Sequence, residues 1–141
     1  MAIHFFNEDI SQPDIDKRQL KDWIKKVVKG HSKKLGELNY IFTSDDNILK
    51  VNKTYLQHDY YTDVITFDYT NADKIAGDIF ISIDTVRSNA VKFNQAIPDE
   101  LNRVIIHGVL HLIGFKDKSE EDAKEMRLQE DKALKILFTS S

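Results

Sequence analysis

Two histidines four residues apart, a glycine three further on and an aspartate three beyond that share one stretch, HGVLHLIGFKD, running from His107 to Asp117. On a helix, residues four apart point to the same side one turn up, so His107 and His111 can turn two imidazoles toward one ion. Arg103 lies one further turn back on that face. Gly114 can leave the helix in a left-handed conformation, which lets the chain fold back and carry Asp117 toward the histidines. Two neutral imidazoles and one carboxylate make a three-ligand set with a place left for water, the pattern of catalytic rather than structural zinc. The same donors compose the facial triad of non-haem iron oxygenases, but no cosubstrate site on a β-scaffold accompanies them here. The plainer alternative buries both histidines among Val104, Ile105, Val109, Leu110 and Leu112, where they only satisfy local hydrogen bonds. His4, His31 and His58 stand singly, and of these only His58, beside Asp59 in a polar aromatic loop, invites a functional role.

The spacing copies the metzincin pattern H-E-x-x-H-x-x-G-x-x-H with Asp117 in the third ligand place, yet Gly108 stands where a zinc protease keeps its glutamate. That glutamate takes the proton from the attacking water and passes it to the leaving amine, a poor leaving group that needs one. Its loss counts against proteolysis. Phosphodiester cleavage in RNA depends on it less, because a metal polarises the phosphate and the ribose 2′-OH offers a nucleophile. Glycine at 108 is also expected to clear space above the metal for a bulky substrate.

The elements that must position these groups are legible in outline. At 141 residues the chain suits one compact domain, 1–141. It has no cysteine, which excludes disulfides, thiolate zinc, iron–sulfur clusters and cysteine nucleophiles together. No signal-type leader or membrane-spanning run is present, so a cytoplasmic protein without a membrane partner is expected. The net charge of −3 argues against coating nucleic acid nonspecifically but leaves room for a local basic face. AIHFF predicts a strand; residues 14–29 predict a helix closed by Gly30, with Lys17, Arg18, Lys21, Lys25, Lys26 and Lys29 on its polar face. A strand ELNYIFTS and a helix opened by Ser44 or Asp45 follow. VITFDYT and GDIFISI predict a hairpin across NADKIA. Asp84 is the expected cap of a helix over DTVRSNAVKFN, Pro98 opens PDELNRVIIHGVLHLI, and Ser119 with Asp122 marks the start of a last helix to about Phe138. Strands and helices without strict alternation predict an α+β fold, helices packed on a small mixed β-sheet with the zinc site on a central helix.

These residues resemble the YbeY-type endoribonucleases, metal-dependent enzymes of ribosomal RNA maturation. The family signature H-G-x-L-H-L-x-G-Y-D-H is matched by His107, Gly108, Leu110, His111, Leu112 and Gly114, with Phe115 in the tyrosine place. Asn52, Tyr55, Asp59, Thr62, Asp63, Val64 and Phe67 echo an upstream motif, and Gly77, Asp78, Ile79, Ile81 and Ser82 a third. The resemblance implies a cleft beside a central mixed sheet. It also implies one Zn2+ held by His107, His111 and Asp117 plus water, with single-stranded ribosomal RNA and the small ribosomal subunit as partners. Two positions depart from the pattern: Asp117 replaces the third histidine, and Leu56 stands where the family has an arginine thought to aid catalysis. Arg103 is the first candidate to take over phosphate contact, ahead of Lys53, Arg87 and His58; a surface ion pair with a neighbouring carboxylate such as Asp99 is its alternative. The expected RNA track runs over Lys25, Lys26, Lys53 and His58, with Tyr60 and Tyr61 able to stack bases. A zinc metalloprotease-like hydrolase and a catalytically weak ribosome-assembly factor remain as other readings.

Overall fold

The computed structural model describes residues 3–56 and 62–139. Four strands, β1 (Ile3–Asn7), β2 (Lys34–Thr43), β3 (Val64–Asp68) and β4 (Lys74–Ser82), form one sheet in the order β1-β2-β4-β3. β1, β2 and β4 run parallel, while β3 returns antiparallel to β4 as the expected hairpin partner. The sheet is therefore mixed, with β3 at its edge. Five helices accompany it: α1 (Lys17–Gly30), α2 (Asp45–Leu56), α3 (Ile83–Lys92), α4 (Ile97–Ile113) and α5 (Glu120–Thr139).

Strand alternation sorts the helices onto two faces. Leu38, Tyr40 and Phe42 of β2 and Ile75, Ile79 and Ile81 of β4 enter the main core with α1, α4 and α5, whereas Ile65 and Phe67 of β3 and Phe80 of β4 pack against Ile48 and Val51 of α2. Two buried polar links pin helices across this core. Trp23 Nε1 donates to Ala133 O at 2.7 Å, tying α1 to α5. The Tyr40 hydroxyl donates to Ile105 O at 3.0 Å, tying β2 to α4.

Several helix ends differ from expectation for identifiable reasons. Ser82, not Asp84, caps α3 by accepting from Thr85 N–H. The Asp84 carboxylate instead accepts from Asp45 N–H at 2.9 Å, while the Asp45 carboxylate takes the Ser82 and Thr85 hydroxyls. Asp84 of α3 thus satisfies an orphan N–H at the start of α2, and Asp45 of α2 answers with hydrogen bonds to two hydroxyls at the start of α3, a pairing that local sequence does not encode. Asp16 caps α1 two residues past its predicted start, and the helix runs through Gly30 to a C-cap at His31.

Gly108 does not open the cavity. It is fully buried on the sheet side of α4, where an added Cβ would meet Ile79 Cδ1 at 2.8 Å and Cγ2 at 3.0 Å. Its role is close helix-to-sheet packing. Gly108→Ala gains about 1 kcal/mol of helix propensity but loses about 1–3 kcal/mol to overpacking. A urea midpoint lowered by the equivalent of about 1 kcal/mol at unchanged slope is expected; a variant as stable as the parent would show that position 108 faces open space after all.

Candidate active site

α4 has two characters along one helix. Leu101, Ile105, Val109 and Leu112 are buried, while Glu100, Arg103, His107 and His111 share a stripe that lines a cavity of about 460 Å³. The start of β3 supplies Asp63, Val64 and Thr66 to the opposite wall, and α5 supplies Arg127 and Glu130. Asp117 arrives as the spacing predicted. Gly114 ends α4 at φ 127°, and Phe115 N–H to Leu110 O with Gly114 N–H to His111 O closes the helix in a Schellman pattern. The chain then turns back, and Asp117 Oδ2 lies 3.3 Å from His107 Nε2.

The other face of that imidazole is held by a residue the motif did not announce. His107 Nδ1–H donates to Glu130 Oε2 at 2.7 Å, and Glu130 is only 6% exposed. Arg103 answers the same carboxylate, donating from NH1 to Glu130 Oε1 and from NH2 to Asp131 Oδ1, both at 2.8 Å. Asp99 is not its partner, and its donors are committed to two carboxylates of α5. Burial draws the His107 imidazole down, but the hydrogen bond and charge of Glu130, with Asp117 and Asp63, outweigh it and hold the group above its ordinary value. Arg103 is likewise raised, the carboxylates outweighing burial. The Asp63 carboxyl is pushed up by burial against the opposing pull of His107, and Glu100 is raised by burial and by Asp63 against Arg103 and Arg127.

Among the described residues no three ligand-type side chains are drawn together as a finished ligating cluster. The donor chemistry nevertheless suits a divalent ion. His107 and His111 line one cavity with Asp117, and Glu130 accepts the hydrogen bond from His107 Nδ1–H, leaving the Nε2 lone pair on the Asp117 side. A carboxylate behind a ligating imidazole is the usual device for fixing its tautomer and orientation.

The other expected contacts lie elsewhere. Lys53 is exposed on α2, Lys25 and Lys26 sit on α1, and none of them lines the cavity. Lys26 borders a separate depression with Asp16, Trp23 and Leu137. Arg87 is exposed on α3 away from the cavity wall. His58, Tyr60 and Tyr61 fall outside the described residues. His4 pairs with Glu37, and His31 packs edge-on against Phe115.

A profile of the Endoribonuclease YbeY family matches residues 5–137. The chain belongs to the YbeY endoribonuclease family. It is 54% identical over 134 residues to the Endoribonuclease YbeY of Bacteroides thetaiotaomicron, covering 95% of this chain and 98% of that one. To the Endoribonuclease YbeY of Parabacteroides distasonis it is 53% identical over 137 residues, covering 97% and 96%. A solution structure of a Thermotoga maritima protein matches it with a TM-score of 0.73 at 28% identity, over 99% of this chain and 91% of that one. Endonucleolytic cleavage of RNA is therefore the activity of this family.

Glu130, Asp63, Glu100 and Arg127 are the charged cavity residues that sequence reasoning did not nominate. Glu130 left a trace: it interrupts the otherwise apolar stripe of Met126, Ala133 and Leu137 on α5, and a carboxylate in such a position needs a partner. Asp63 lay within the matched upstream motif. Replacing Arg103 by Met leaves the buried Glu130 without its guanidinium, and because the Arg103 side chain is 21% exposed the expected loss is about 2 kcal/mol, below the range for fully buried pairs. Chemical denaturation measures it; unchanged stability would return Arg103 to the role of a free phosphate arm.

Proposed function

We propose that this chain is a metal-dependent endoribonuclease that cuts single-stranded RNA during maturation of ribosomal RNA, with one Zn2+ held by His107, His111 and Asp117. The observation that carries this reading is that those three side chains line one cavity, with the buried Glu130 hydrogen-bonded behind His107. When bound, the ion supplies Lewis-acid polarisation of the scissile phosphate and makes water a stronger acid. An aspartate in the third ligand place adds negative charge and tempers that effect relative to a third histidine.

The chain's own side chains do the rest. Glu130 keeps the Nδ1 proton of His107 in place, so that Nε2 faces the Asp117 side. Arg103 holds Glu130 from behind, which makes it a positioning residue in this mechanism rather than a phosphate contact. Asp63 and Glu100 line the same cavity with carboxyls of raised proton affinity and serve in this reading as the proton acceptors for the attacking hydroxyl. The proposal keeps residues 1–141 as one catalytic domain working in the cytoplasm on RNA of the small ribosomal subunit. Among the described residues no helix is long and apolar enough to cross a membrane. Lys25, Lys26 and Lys53 stay in it as distant attractors of the RNA backbone, with His58 as a further contact. The protease reading loses ground because position 108 faces Ile79 of the sheet rather than the cavity. Leu56, together with the commitment of Arg103 to carboxylates, favours as second reading an assembly factor of weak activity.

Zinc-loaded protein is expected to cut a labelled single-stranded RNA, and the cutting to vanish on chelation and in Asp117→Ala. Protein shown to retain its zinc but inert toward RNA would transfer the assignment to the assembly factor. Glu130→Gln is expected to weaken zinc binding by about 10–100-fold in competition with a chromogenic chelator; full affinity in that variant would remove Glu130 from the support of His107.

A further inference from the structure

We infer that Phe93 and Arg127 form a nucleotide subsite at the mouth of the cavity, with Arg127 taking a backbone phosphate and the Phe93 ring stacking on the adjoining unpaired base. The inference rests on the endoribonuclease reading and names where the RNA strand lies in that same site. Both residues line the cavity that contains His107 and His111, and both also line a second depression of about 310 Å³. Glu100 and Arg103 are shared in the same way. Phe93 and Arg127 therefore stand where a space for the reacting phosphate meets a space sized for a neighbouring nucleotide.

Charge singles out Arg127. Asp63, Glu100, Asp117 and Glu130 give the cavity four carboxyl groups, a setting that repels phosphate unless cations answer it. The Arg103 guanidinium is spent on Glu130 and Asp131. Arg127 is exposed, and among the described residues it makes no hydrogen bond or ion pair; Glu100 is the carboxyl whose proton affinity it pulls down. It sits one turn before Glu130 on α5, so the ion pairs that fix Glu130 against α4 also fix the base of the Arg127 arm.

The ring is equally well placed. Phe93 is 55% exposed although large and apolar. Its backbone is nonetheless pinned: it is the C-cap of α3, its N–H donates to Asn89 O at 2.9 Å, and Asn94 follows in the left-handed conformation at φ 55°. A held backbone with an exposed ring loses little entropy when a base stacks on it. Lys92 Nζ stands over one face of the ring, 5.5 Å from its centroid, which adds a cation to the platform and leaves the opposite face for a base. An aromatic face with flanking cations is the chemistry that receives single-stranded nucleic acid without regard to sequence.

The test is fluorescence anisotropy of a labelled single-stranded oligonucleotide with 2′-O-methyl sugars, which cannot be cut through the 2′ oxygen, titrated with zinc-loaded full-length protein over a salt series. Arg127→Gln is expected to weaken binding about 10-fold and to lower the slope of log affinity against log salt by about 0.7, the signature of one lost phosphate contact. Phe93→Ala is expected to weaken binding about 10-fold with the slope unchanged, and Phe93→Trp to restore it. Thermal midpoints equal to the parent's distinguish these losses from unfolding. On unmodified RNA, Phe93→Ala should raise KM and leave kcat. Parent-like affinity and slope in both Arg127→Gln and Phe93→Ala would overturn the subsite, as would a parent protein that does not bind the strand. A parent that binds through these residues yet cuts no RNA would uphold the subsite and sink the nuclease reading; a parent that cuts while both variants bind normally would do the reverse.

Discussion

The rest of the site depends on one buried carboxylate. Glu130 is almost wholly removed from water, and a charge in that position is tenable only when partners answer it. Arg103 answers one of its oxygens and His107 the other, and those two residues sit one turn apart on α4. Such an interaction adds little net stability over an apolar contact of the same shape, since desolvation offsets much of the attraction. What it does provide is register. A slip of α5 along α4 would leave a naked carboxylate and guanidinium, so the two helices are held at one offset, and with them the turn that carries Asp117.

The sheet constrains α4 from the other side. Gly108 brings the helix close to Ile79, and the Tyr40 hydroxyl holds the Ile105 carbonyl, so α4 is fixed in both height and rotation on β4 and β2. With rotation fixed, the polar stripe has one direction left to face, toward β3 and α5. β3 meets it with its even-numbered residues, Val64 and Thr66, because Ile65 and Phe67 are committed to α2 on the opposite face. The cavity is thus what remains between two packing problems, one apolar and one ionic, each solved by a different face of the same helix.

The sequence made α4, its glycine exit and the three candidate ligands legible because all of them are local: spacing on a helix, a left-handed glycine and a short return. The mixed sheet was legible from the hairpin and from apolar runs. What escaped was nonlocal. Nothing near Asp84 says that its carboxylate will serve the start of α2 while Ser82 caps α3; that exchange exists only once the two helix ends meet. Glycine at 108 occupies the place of a protease's glutamate, which suggests space above the metal. A step of one residue rotates the side-chain direction by about 100°, which turns position 108 to the sheet. An ion pair to a carboxylate was the foreseen alternative for Arg103, but the identity of the partner was not legible, since Glu130 is brought to it by the packing of a helix 27 residues away in sequence.

The two arginines of the cavity show how one residue type divides between structure and chemistry. Arg103 is half-buried and donates to two carboxylates, each at 2.8 Å. Arg127, three residues before Glu130, shares the anchored helix but emerges at the mouth. A cation that must recognise an incoming anion is most useful where its own partners are weak, and a cation that must hold a buried carboxylate is most useful where they are strong. Exchanging their roles would cost the site twice, by leaving Glu130 unpaired and by placing the free charge where no strand can reach it. The division follows from burial alone: the same side chain that organises the ligand helix in the interior becomes, one turn away at the surface, the group that can meet the phosphate.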